Sequence, residues 1–201
     1  MREDIKYIIF DLSEVLLRGL YGTHEIIGKK LNLPADEVSD VLLKAAEDLF
    51  LGRVSEDDYC DNIIKDNEWP VSAEELKVII RSNFAEIPGT CQIAEDLKKA
   101  GYGLVLLSVH AREWIEYCRD NFSFEDLFEE KAFYSFDRGC QKPDPQAFKD
   151  VLEEIKAHPE ECLFIDDSEA NIKSAENLGI KAILFKGADD LREELKNQSF
   201  L

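Results

Sequence analysis

The first apolar run of the chain, "YIIF" (7–10), ends on Asp11, within the stretch "FDLSEV" (10–15). A carboxylate in that place can attack an electrophile or bind a cation, provided something offsets its charge. Three other stretches carry polar residues in comparable places. Ser108 closes "GLVLLS" (103–108), Lys142 precedes a stiff Pro-x-Pro in "QKPDPQAF" (141–148), and Asp166 and Asp167 follow "CLFI" (162–165). Taken singly, each is an ordinary helix cap, loop residue or surface charge. Taken together they assemble three carboxylates, a hydroxyl and an ammonium. Carboxylates crowd together only where a cation offsets them, and oxygen donors with water suit Mg2+. Pro143 and Pro145 restrict the backbone around Lys142, whose ammonium could then clamp an anionic transition state.

These residues converge only if the runs before them are neighbouring parallel strands, because α/β sheets bind ligands beyond the carboxyl ends of their strands. Strands are expected at 7–10, 103–108, 132–135 ("AFYS"), 162–165 and 181–185 ("KAILF"). Helical patterns lie between them. Residues 90–100 place Ile93, Ala94 and Leu97 on one face before Gly101. Residues 144–156 carry Phe148, Val151, Leu152 and Ile155, and 168–178 end at Gly179. This alternation predicts an α/β fold, a parallel Rossmann-like sheet covered on both faces.

Residues 20 to about 84 break the rhythm, with helical patterns and no convincing strand. One helix is expected from Pro34 to Gly52, with Val38, Val41, Leu42, Ala45 and Leu49 inward. "SEDD" (55–58) resembles a helix start and "SAEE" (72–75) a capping box. The expected organisation is a core of residues 1–18 and 86–201, with 19–85 as a small helical insertion after the first strand.

Composition narrows the partners. Across 201 residues the net charge is −19, which disfavours nucleic acid and anionic membrane surfaces. No apolar stretch approaches the roughly 20 residues of a membrane span, and "MREDIKYIIF" has no signal-peptide pattern. Cys60, Cys91, Cys118, Cys140 and Cys162 are odd in number without a C-x-x-C pair, and His24, His110 and His158 lack zinc-ligand spacing. Reduced, mostly packed thiols in a cytoplasmic protein are the expectation. The expected partner is a small molecule.

In order and spacing, "FDLSEV", "LLSVH", "QKPDPQAF" and "FIDDSEANI" resemble the four motifs of the haloacid dehalogenase (HAD) superfamily. The resemblance spans essentially the whole chain. It is to the branch with a helical cap after the first strand, related to sugar-phosphate phosphatases and to the phosphatase domain of soluble epoxide hydrolase. It implies an Mg2+-dependent phosphatase of small phosphate esters, with an aspartyl-phosphate forming on Asp11. Ser108 would hold the phosphoryl group with Val109 beside it, and Lys142 would neutralise nucleophile and substrate. Asp167 and the backbone carbonyl of Ser13 would join Asp11 as metal ligands. Asp166 would be a second ligand or water holder, and Asn171 would orient the loop.

Two positions depart from the family pattern. Ser13 stands where phosphatases commonly have an aspartate that protonates the leaving oxygen, and Val109 where asparagine or aspartate is frequent. A serine hydroxyl is a poor general acid, and that role is typically worth ~10²–10⁴-fold in rate. Turnover is therefore expected to be slow or substrate-restricted, unless help comes from a good leaving group, His24 or His110. Arg18 and Arg53 are candidate substrate contacts. A metal- or phosphate-binding protein without useful turnover is the alternative. Dehalogenation is a lesser one, since paired Asp166 and Asp167 suit a cation that dehalogenases do not need.

Overall fold

The structure is a computed structural model that describes residues 5–129 and 131–201. Residues 1–4 of the expected core segment lie outside the described residues. In chain order the elements are β1 (Tyr7–Phe10), β2 (Leu17–Arg18), α1 (Thr23–Leu31), α2 (Ala35–Phe50), α3 (Glu56–Asn67) and α4 (Ala73–Ser82). Next come β3 (Ala85–Glu86), α5 (Thr90–Lys99), β4 (Gly103–Ser108), α6 (Arg112–Asn121), β5 (Ala132–Tyr134) and α7 (Ser135–Arg138). The chain continues with α8 (Pro145–Ile155), β6 (Cys162–Asp166), α9 (Glu169–Asn177), β7 (Lys181–Leu184) and α10 (Ala188–Asn197).

Five strands form one sheet in the order β5-β4-β1-β6-β7, with every described pairing parallel. The central strands are apolar throughout because both faces are covered. Side chains alternate between faces. Ile8, Phe10, Leu106 and Ile165 join one core; Ile9, Val105, Leu107 and Phe164 join the other. Helix α5 buries Ile93, Ala94 and Leu97 in the first, and α8 buries Phe148, Val151, Leu152 and Ile155 in the second.

Helices α1 to α4 lie between β2 and β3, which pair antiparallel as a short ribbon. Capping boxes start α3 (Ser55 with Asp58) and α4 (Ser72 with Glu75), where the sequence predicts a helix start and a capping box respectively. In α2 the buried stripe is Val38, Leu42, Ala46 and Leu49; Val41 and Ala45, expected inward, flank it half-buried. Both alanines fit the helical period from Leu42, and the packing of α2 on its neighbours buries Ala46. These helices share the first core with the sheet, meeting at Trp114 of α6. There the Trp114 Nε1–H donates to Glu56 Oε1 of α3 at 2.8 Å, and Arg81 of α4 pairs with the same carboxylate. Asn83 fastens the two connections together. Its Nδ2 donates to the carbonyls of Gly19 (2.6 Å) and Tyr21 (2.8 Å). The neighbouring Gly22 has φ +94°, a conformation open to glycine at little cost.

The described cysteines are all free thiols, and Cys60, Cys118 and Cys162 are buried. Among the described residues no helix is long and apolar enough to cross a membrane.

Candidate active site

Strand register sets the site. Phe10 pairs with Leu106 on one side and Ile165 on the other, and the Asp11 N–H donates to the Ile165 carbonyl at 2.9 Å. Asp11 and Asp166 each follow their paired residue, so they emerge side by side at the carboxyl edge, with Asp167 next. One ligand oxygen from each of the three carboxylates falls within a 4.8 Å cluster.

Lys142 enters this cluster from the β5–β6 connection. Its Nζ lies 2.8 Å from Asp11 Oδ1 and 2.6 Å from Asp166 Oδ2, and its side chain is almost fully buried. Two local bonds hold its loop: Ser174 Oγ of α9 donates to the Pro143 carbonyl at 2.6 Å, and Asp144 caps α8 by accepting from the Gln146 N–H at 2.9 Å. Asp166 is saturated with donors. Oδ1 accepts from the Ser168 N–H (2.8 Å) and both oxygens meet Asn171 Nδ2, in addition to the lysine. These partners offset the cost of burying the Asp166 carboxylate.

Asp11 is differently placed. Burial pushes its carboxyl up to about 7, with Asp166 and Asp167 adding to the rise and Lys142 opposing it. Asp167, more exposed, is raised by burial and then by Asp166. Burial would lower the Lys142 ammonium, but Asp11 and Asp166 outweigh it and hold it above its ordinary range. Three carboxylates against one ammonium leave negative charge uncompensated. The all-oxygen donor set fits a hard divalent cation such as Mg2+, with Asp11 and Asp167 as its open carboxylates.

The chain after Asp11 turns tightly. The Leu12 carbonyl accepts from Leu16 and Leu17 at 2.9 Å, and Glu14 adopts φ +59°. This brings Ser13 and Glu14 to the cleft over the carboxylates. Ser108, at the end of β4, is buried with no hydrogen-bond partner for its Oγ among the described residues. With Val109 it lines a narrow space beside Lys142.

The cleft has a volume of about 220 Å3. Asp11, Lys142, Asp167 and Asn171 form its polar floor. Val109, His110 and Trp114 contribute from the sheet side, and Leu20, Tyr21, Leu43 and Phe50 from the inserted segment. His110 accepts the Ala111 N–H on Nδ1 at 3.1 Å, which leaves Nε2 as the ring's donor. Burial lowers its imidazole to about 4, so the ring is neutral near pH 7. Asp11, Asp166, Asp167, Lys142 and Asn171 are thus brought together. His24, Arg18 and Arg53 are not among the cleft residues: His24 packs edge-on against Tyr21, and Arg53 pairs with Asp48. Glu14 escaped the sequence reading although it adjoins Ser13, because its left-handed backbone has no signature in a glutamate.

Comparison with known proteins agrees with this architecture. A family model described as haloacid dehalogenase-like hydrolase matches residues 5–179. The chain is 25% identical over 146 residues to flavin mononucleotide hydrolase 1 of Arabidopsis thaliana, covering 73% of this chain and 58% of that protein. It is 24% identical over 220 residues to bifunctional epoxide hydrolase 2 of Sus scrofa, covering 96% of this chain and 38% of that protein. The chain therefore spans less than two thirds of either relative. Among solved structures, the HAD-family enzyme BT-2542 of Bacteroides thetaiotaomicron superposes with a TM-score of 0.81 at 26% identity, over 95% of this chain and 98% of that one. A magnesium complex of that enzyme superposes with a TM-score of 0.79 at 27% identity, over 96% and 99%.

Proposed function

The chain belongs to the haloacid dehalogenase-like hydrolases, and from that premise we propose that it is an Mg2+-dependent phosphatase of small phosphate esters. The observation that carries the reading is Asp11 held 2.8 Å from Lys142 within a cluster of three carboxylates at the sheet's carboxyl edge. A flavin mononucleotide hydrolase among the relatives and the magnesium complex of a structural neighbour point the same way.

In this reading Asp11 attacks phosphorus and carries the phosphoryl group as an acyl phosphate, which water then hydrolyses. Lys142 offsets charge on nucleophile and phosphate, and the unpaired Ser108 hydroxyl and the backbone at Val109 hold the phosphoryl oxygens. Asp11, Asp167 and the Ser13 carbonyl would hold the cation, while Asp166 fixes Lys142. When bound, the ion would mask the negative charges of nucleophile and phosphate from one another. Residues 19–85 act as a cap over a core formed by 1–18 and 86–201, with Tyr21, Leu43 and Phe50 facing the reacting end.

The test is phosphate release from a panel of phosphate esters with and without Mg2+. The expected result is Mg2+-dependent release that Asp11→Asn abolishes; release no greater than that of the variant would refute it. Ser13 favours a second reading, a protein that binds Mg2+ and phosphate without useful turnover. It predicts a raised melting temperature with both ligands and no release from any ester.

A further inference from the structure

Above the carboxylates the cleft is apolar and aromatic. Leu20, Leu43, Phe50 and Trp114 line it, and the Phe50 ring meets Trp114 edge-on with centroids 5.8 Å apart. Leu43 is 60% and Tyr21 72% exposed, so the mouth presents large apolar surface to solvent. Monomeric proteins seldom leave such surface facing a polar site without a ligand to cover it.

The charges in the cleft speak against a second anionic group. Its one cation, Lys142, is already shared between Asp11 and Asp166, while Glu14 and Asp167 add negative charge. The polar groups of the cleft, Asp11, Ser13, Glu14, Lys142, Asp167 and Asn171, gather at its floor, so the part of a substrate beyond the phosphoryl group meets mainly Leu20, Leu43, Phe50 and Trp114. Size is compatible with a ring. A dry cavity of about 150 Å3 accepts benzene, so the 220 Å3 of this open cleft has room for a phosphoryl group and one ring.

Ser13 is an independent observation on the same point. A site without a general acid beside its nucleophile favours a leaving group that departs as a stable anion. A phenol ionises near ~10, as tyrosine does, whereas alkyl alcohols resemble water at ~16.

We propose that the substrate is the phosphate monoester of a small, uncharged, single-ring phenol, with the ring seated among Leu43, Phe50 and Trp114. This rests on the phosphatase reading and names its substrate class. In the first step an Asp11 oxygen forms a bond to phosphorus, and the bond between phosphorus and the phenolic oxygen breaks. The electron pair leaves with the phenoxide, which takes a proton from solvent. In the second step water attacks the acyl phosphate, regenerates the Asp11 carboxylate and releases dihydrogen phosphate.

The experiment has a binding arm and a turnover arm. Calorimetric titration of Asp11→Asn protein in Mg2+ compares phenyl phosphate with sorbitol 6-phosphate. Phenyl phosphate should bind at least about 10-fold tighter, and Leu43→Lys should erase that preference. Equal affinities, or tighter binding of the polyol phosphate, overturn the proposal. In turnover, phenyl phosphate should exceed both sorbitol 6-phosphate and fructose 1,6-bisphosphate in kcat/KM. Acetyl phosphate separates this proposal from the reading beneath it, because it has a good leaving group and no ring. Asp11-dependent hydrolysis of acetyl phosphate without preference for phenyl phosphate refutes the ring site alone. No Asp11-dependent release from either ester overturns both.

Discussion

Asn171 holds Asp166 by both oxygens, its Nδ2 lying 2.9 Å from Oδ1 and 3.1 Å from Oδ2. Asp166 in turn holds Lys142 against Asp11. Asn171→Ala should therefore lower kcat by roughly 10–100-fold, the range seen when groups supporting a ligand are removed. Steady-state kinetics at saturating Mg2+ checks it; an unchanged kcat would mean that Lys142 and Ser168 suffice to place Asp166.

Ser13→Asp tests the missing acid. The variant should raise kcat on alkyl phosphates by about 10²-fold, the lower end of general acid catalysis, and change acetyl phosphate little. A uniform response across both esters would assign residue 13 some role other than proton transfer.

The raised Asp11 carboxyl gives Mg2+ binding a pH signature. Without the ion, a folded-state value of about 7 against 3.8 means that the native state binds more protons across that window. Native stability from this group is then lost as pH rises through it. The cation takes the ionised carboxylate, so the Mg2+-induced rise in melting temperature should be larger at pH 8 than at pH 6. Scanning fluorimetry at the two pH values reads this directly.

His110 has the opposite sign. Its imidazole is held near 4 by burial, against 6.5 when free, so the unfolded chain binds the extra proton between those values. Stability should fall as pH drops from 6.5 to 4, by up to about 3 kcal/mol from this residue. His110→Phe, an aromatic ring beside Phe84 and Trp114, should flatten that part of the acid limb in urea unfolding curves.

Glu56 links the inserted helices to the sheet layer through Trp114 and Arg81. Removing its charge by Glu56→Gln should destabilise the fold by about 2 kcal/mol, the scale of a hydrogen bond to a charged group. Denaturant midpoints measure the loss. Because Trp114 also lines the cleft, KM should rise with it.

Much of this structure is legible in the sequence because short apolar runs, each ending on a polar residue, have few other readings. "YIIF" and "CLFI" announce adjacent buried strands, and the ladder from Phe10 to Ile165 then places Asp11 beside Asp166. What the sequence conceals depends on distant partners. Leu17–Arg18 and Ala85–Glu86 are too short to signal strands until they meet. Helices α6 and α10 carry no clear signal in the sequence, because their few apolar residues, such as Trp114 and Leu191, lie among many charges. Ala45 and Ala46 are indistinguishable to periodicity alone, and their burial is decided by how α2 rests on its neighbours.

The ribbon of β2 and β3 has a consequence for how such a protein changes over generations. Residues 19–84 leave and return through two paired strands, so their ends lie side by side. A segment of another length can be spliced between Arg18 and Ala85 without altering the register that aligns the clustered carboxylates. The newcomer must offer Trp114 an apolar face and an acceptor for its Nε1–H. The residues over the cleft can then change as a unit while the carboxylate cluster keeps its place.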